Sequence, residues 1–131
     1  MKDALILLSL TLLTACQSAL SGAQKPVSAG ALTDAYEESR ASVRSKYDGK
    51  EITVRGYTLT VATMPPPDAD QGSVLLADKV EDPVRQVNCS FSREQAREFS
   101  KIKGGEFLTV KGIFNGEAGA ELKFCKLVRV E

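Results

Sequence analysis

The sequence predicts a mainly β domain of five strands, with one helix ahead of them and a second between strands three and four. Three observations predict it. From residue 50 onward, short apolar runs alternate with polar residues at the two-residue period of half-buried strands. Turn-forming clusters separate these runs, among them Pro65-Pro66-Pro67, Gly104-Gly105 and Asn115-Gly116. Two stretches, one starting near residue 31 and one at Ser92, carry helical spacing instead.

Taken in order, Ser28 or Thr33 can cap a first helix bearing Leu32, Ala35, Tyr36, Val43 and Tyr47 on one stripe, which Asp48-Gly49 ends. The first strand spans residues 50–63. Its inward set reads Ile52 and Val54, then Tyr57, Leu59 and Val61, so a bulge or bend is expected at Gly56. Residues 64–72, with three consecutive prolines, form a loop. Residues 73–79 and 84–91 are the second and third strands. Ser92-Arg93-Glu94-Gln95 has the capping-box pattern and opens a helix to about Ile102. Residues 106–114 and 121–130 are the fourth and fifth strands, joined through Asn115-Gly116. Five strands with a helix between the third and fourth is the order of an OB-fold barrel, in which one long bent strand serves both sheets.

The first residues set an address. Lys2 is followed, after Asp3, by an apolar run over residues 4–13, too short for a bilayer core that needs about 20 residues. A charged start, a short apolar core and small residues at its end describe a secretory signal peptide. Leu13-Thr14-Ala15-Cys16 resembles the bacterial lipobox, which implies that the Cys16 thiol carries a diacylglycerol and that residues 1–15 are removed. The competing reading makes Cys16 an ordinary buried thiol. Two or three acyl chains anchor a protein stably where one does so only marginally. Gln17 is not the aspartate that resembles an inner-membrane retention signal, so the outer membrane, periplasmic side, is the expected location in a Gram-negative source. Residues 16–30 then comprise the lipidated cysteine and a small, polar tether, and residues 31–131 the OB-fold domain with its leading helix.

Composition narrows the function. Seventeen basic residues face 17 acidic ones, and histidine is absent. A nucleic-acid binder ordinarily carries a basic excess, and the loops at 64–72 and 115–119, where an OB-fold grips its ligand, are acidic without lysine or arginine. Without histidine, catalysis and metal binding lose their usual side chain, and no cofactor or catalytic residue is assigned. With Cys16 given to lipid, Cys89 and Cys125 remain as a pair, expected as a disulfide in an oxidising compartment; the alternative is two independent thiols.

Tyr47-Asp48-Gly49-Lys50 with Ile52-Thr53-Val54-Arg55-Gly56, then Val87-Asn88-Cys89-Ser90-Phe91, Thr109-Val110-Lys111-Gly112 and Leu122-Lys123-Phe124-Cys125 resemble the ordered motifs of the tRNA-anticodon-like OB family of bacterial exported proteins. The resemblance spans roughly residues 31–130. Where the family pattern has an asparagine in the first helix and a cysteine after the later strand glycine, this chain has Ser39 or a neighbour and Phe114. The resemblance implies a fold, and a relation to nucleic-acid-binding OB domains, rather than a reaction.

Candidate ligand contacts come from the third strand, where Val87, Cys89 and Phe91 face inward and Gln86, Asn88 and Ser90 outward. That neutral polar row suits a sugar or a peptide, and equally a solvated barrel face. Arg93, Arg97 and Lys101 lie at helical spacing with Glu94 and Glu98, the pattern of ion pairs on a solvated helix. Asp68-Ala69-Asp70-Gln71-Gly72 begins like a calcium loop, but its glycine falls one residue early and Lys79 replaces the closing glutamate. The expected function is a lipid-anchored envelope module that binds an envelope protein, a peptide or an oligosaccharide. The alternative is a nucleic-acid-binding OB-fold lipoprotein.

Overall fold

The computed structural model describes residues 25–63, 71–81 and 85–131. Cys16, the signal peptide, residues 64–70 with the triple proline, Asp68 and Asp70, and residues 82–84 lie outside the described residues. Within them run β1 (Val27–Ser28), α1 (Ala29–Glu38), α2 (Arg40–Tyr47), β2 (Glu51–Thr63), β3 (Gly72–Ala77), β4 (Val87–Phe91), α3 (Arg93–Ser100), β5 (Phe107–Asn115) and β6 (Glu121–Val130).

Five strands close into a barrel in the order β2-β3-β4-β6-β5, with β5 returning to β2. All of these pairings are antiparallel except β4 with β6, and β1 adds a two-residue parallel rung to the outer side of β2. Closure depends on the length of β2. Its first half, Glu51 to Tyr57, pairs with β5; its second half, from Tyr57 onward, pairs with β3. This is the OB-fold, with the helix between the third and fourth barrel strands that the sequence predicts.

Ser28 caps α1, its Oγ accepting from the Ala31 amide. The single expected helix is two. Ser39 takes φ −153°, ends α1 and caps α2 through Oγ, so the stripe divides into Leu32 and Tyr36 on one helix and Val43 on the next. A serine that can satisfy the freed amides makes such a break inexpensive.

The bend in β2 is also relocated. Alternation continues through Gly56 and Thr58, both buried, and the register slips between Thr58 and Thr60. Tyr57 therefore points outward, 38 % exposed, with its ring edge-on to Phe107 at 4.9 Å. Gly56 has a different task, because a Cβ there would lie 3.0 Å from the Ala77 carbonyl and 3.1 Å from Ala29 Cβ. It lets α1 and β3 approach the strand where β2 changes partners.

The core fills the barrel with Ile52, Val54, Val74, Leu76, Val87, Leu108, Val110 and Leu122. One end is plugged by α3, whose Phe99 is fully buried and stacks on Phe91 with ring centres 4.6 Å apart. The expected capping box does not form. Ser92 makes no side-chain cap bond, and Gln95 instead accepts from the Leu127 amide, tying α3 to β6. Lys101, the C-cap of that helix, pairs with Glu98. Cys89 of β4 and Cys125 of β6 form the disulfide, with both residues fully buried.

Candidate functional site

The motif at residues 47–50 is structural. Asp48 follows α2 and uses both carboxylate oxygens: Oδ2 accepts from Arg44 Nε at 2.7 Å, and Oδ1 from the Gly116 amide at 2.9 Å. Tyr36 donates its hydroxyl to the Gly116 carbonyl at 2.7 Å. The helical pair is thereby fastened to the β5–β6 turn. The Arg44 hydrogen bond and then the Gly116 amide hold the Asp48 carboxyl below its usual range, and Arg44 is correspondingly raised. Because the folded pKa is depressed, this contribution is complete above the unfolded pKa and is lost as pH falls through the folded value. Asp48→Asn is expected to lower the urea midpoint at about pH 7, with the difference from the parent smaller at about pH 2. Equal differences at both values would contradict this.

On β4 the outward row falls where the sequence puts it: Gln86, Asn88 and Ser90 are half-buried, and Val87, Cys89 and Phe91 point into the barrel. The three do not converge on one site. The Asn88 side-chain oxygen is enclosed without a hydrogen-bond partner among the described residues, and Ser90 alone of the row lines a groove.

That groove, of about 200 Å³, is formed by Gln71, Ser90, Phe91, Ser92, Lys123 and Phe124. It arises because β4 and β6 pair only at Asn88 with Glu121 and Cys89 with Leu122, and no rung follows. Its exposed apolar wall is Phe124, missed in the sequence reading. Opposite Gly112, β6 carries two residues, Phe124 and Cys125, between the rungs Ile113–Lys123 and Lys111–Lys126. Cys125 turns inward to the disulfide, where a Cβ on Gly112 would lie 3.0 Å from its sulfur. The bulge places Phe124 at φ 55°, a left-handed conformation that costs about 1–2 kcal/mol in a residue with a Cβ. Its ring is left 69 % exposed. Hydroxyls at Ser90 and Ser92, an amide at Gln71 and the Lys123 ammonium surround it, so the groove offers one apolar face ringed by hydrogen-bonding groups.

A second groove, of about 280 Å³, runs along α1 and α2 between Ala35, Ser42 and Tyr47. It has no comparably exposed ring. Among the described residues no helix is long and apolar enough to cross a membrane.

The sequence model of a family described as tRNA_anti-like matches residues 14–125. No curated protein matches the chain. Among solved structures, the chain is similar to a lipoprotein from Klebsiella pneumoniae subsp. pneumoniae MGH 78578 described as a candidate nucleic acid binder. The TM-score is 0.69 at 16 % identity, over 81 % of this chain and 92 % of that one. It is also similar to OBody AM3L15 bound to hen egg-white lysozyme, with TM-score 0.53 and 13 % identity over 83 % and 94 % of the two chains. OBody AM1L10, bound to the same lysozyme, gives 0.52 at 15 % identity over 66 % and 83 %. At these identities the likeness concerns the fold.

Proposed function

The chain belongs to the tRNA_anti-like family, and from that premise we propose that it is a lipid-anchored binding module of the cell envelope. Its ligand is a protein or peptide segment, or an oligosaccharide, held in the groove beside Phe124. The observation that carries this is Phe124 itself, an aromatic ring kept in solvent by a strained backbone. Backbone strain persists only where surrounding structure enforces it, and it clusters at binding sites. Exposed aromatic anchors beside neutral hydrogen-bonding groups suit peptide side chains and sugar rings alike. The OBody complexes with lysozyme support the protein reading, since a barrel of this shape holds a protein partner there. The description of the Klebsiella protein as a lipoprotein supports the anchor at Cys16.

The same description supports a second reading, a nucleic-acid strand. Lys123 is the one cation lining the groove, and the β5–β6 turn presents Glu117. A strand bound through its phosphates would show steep salt dependence.

A photo-crosslinking residue at position 124, with position 37 on α1 as control, tests the site in cells. Discrete protein or glycan adducts specific to position 124 support the proposal. Nucleotide adducts would transfer it to the second reading, and identical patterns at both positions would overturn both. Phe124→Asn is expected to reduce capture tenfold or more, as for a ~2 kcal/mol hot spot, without lowering the unfolding midpoint. Asparagine tolerates the left-handed conformation, so stability and binding separate. Cys16→Ser is expected to release the protein from membranes or block its processing; unchanged fractionation would refute the anchor.

A further inference from the structure

The geometry points to a second interaction surface: the outer face of β2, β5 and β6 lies against an anionic phospholipid surface. Residues directly opposite in an antiparallel pair share a face. The registers therefore place Glu51, Ile113 and Lys123 in one outward row, Thr53, Lys111 and Lys126 in the next, and Arg55, Thr109 and Arg129 in the third. Tyr57 and Phe107 close the face. With Glu121, opposite Asn115 at the end of the same face, five cations thus stand against three carboxylates, Glu51, Glu121 and Glu131, on a chain whose formal net charge is zero. Lys123 and Lys126 have no carboxylate partner among the described residues.

Two features select a lipid surface rather than a nucleic-acid strand. Single strands are held by aromatic rings with open faces, set in a groove. Here Phe107 is covered by the Arg55 guanidinium at 5.1 Å and by Tyr57, so its ring offers no open face to a base. The second feature is where the chain enters. β1 pairs with Val54 and Arg55, so the tether joins the domain at the edge of this sheet. Residues 17–26, fully extended, span at most about 35 Å, so a lipid on Cys16 keeps this edge near the bilayer. In this respect the inference rests on the anchored reading. Acyl chains combined with a basic surface hold a protein to anionic membranes better than either does alone. The groove at Phe124 lies along the β4 side of β6, at the border of this face rather than within it.

The test uses the chain from residue 16 onward with Cys16→Ser, which retains every strand and all of the core, so that binding cannot come from acylation. It is mixed with phosphatidylcholine vesicles with or without about 30 % phosphatidylglycerol, at low and at physiological salt. Association is expected only with the anionic vesicles, weakening as salt rises. Lys111→Glu with Lys126→Glu is expected to reduce it tenfold or more. Arg97→Glu with Lys101→Glu, the same change in net charge on α3, is expected to leave it within twofold. Equal binding to both vesicle types, no binding, or equal loss in both reversed pairs would overturn the inference. So would full displacement by a single-stranded oligonucleotide at equal phosphate, which would assign the face to nucleic acid. The anchor is read separately from Cys16→Ser fractionation in cells, so the failure of one is not the failure of the other.

Discussion

Replacing Cys89 and Cys125 together by alanine is expected to lower the unfolding free energy by about 4 kcal/mol, read as a urea midpoint with and without the bond. The bond spans 36 residues and joins β4 to β6. In the chain-entropy account its effect lies in the unfolded ensemble, which loses the freedom of a loop of that size. For a domain with a total of about 5–15 kcal/mol, the loss removes between about a quarter and four-fifths of the stability. There is also a local consequence. β4 and β6 share only two rungs, and the disulfide runs from Cys89, at the second of them, to Cys125 within the bulge that turns Phe124 outward. The double variant is therefore expected to show fast amide exchange at residues 122–126 before the barrel as a whole opens. A midpoint shift below about 1 kcal/mol would show that the bond closes an already ordered loop.

Phe99→Ala is expected to cost about 3–5 kcal/mol, the range for removing a fully enclosed phenyl ring. Phe99 is the one fully buried side chain of α3, stacked on Phe91. Without it the helix retains the Gln95 contact to Leu127 and little else of depth. Denaturant unfolding measures the total loss. Hydrogen exchange in α3, expected to rise more than in β2 and β5, measures its location. A loss under 1 kcal/mol would mean that the end of the barrel collapses onto the vacated space.

How much of this was legible can be followed residue by residue. Five strands and their order were, because alternation and turn chemistry are local and β4 and β5 are short enough to keep one parity. The cysteine pair followed from counting. The break at Ser39 was not legible, since Leu32, Tyr36, Val43 and Tyr47 keep helical spacing across it and a cap is seen only when the backbone turns. The slip in β2 was placed at Gly56 on the strength of the glycine. It occurs near Leu59 because the bend is set by where β2 exchanges β5 for β3, a matter of partners rather than of its own residues. Phe124 had a signal that went unread. If Leu122 and Cys125 both face inward, three residues apart, strict alternation is impossible and one residue must be bulged. Gln86, Asn88 and Ser90 were placed on the correct face, but sharing a face is not convergence, and only Ser90 reaches the groove.

By itself the sequence determined the barrel, the pairing of Cys89 with Cys125, and the features at Leu13-Thr14-Ala15-Cys16 on which the anchor proposal rests. Each depends on neighbours in the chain or on a count. Only the tertiary structure decided which residues meet: the left-handed Phe124 beside Ser90, Asp48 beneath the β5–β6 turn, and Arg55, Lys111, Lys123, Lys126 and Arg129 on one face. These five cations are scattered over 75 positions of a neutral chain. Strand register gathers them, and register is fixed by closure of the whole barrel, which no single stretch of the sequence carries.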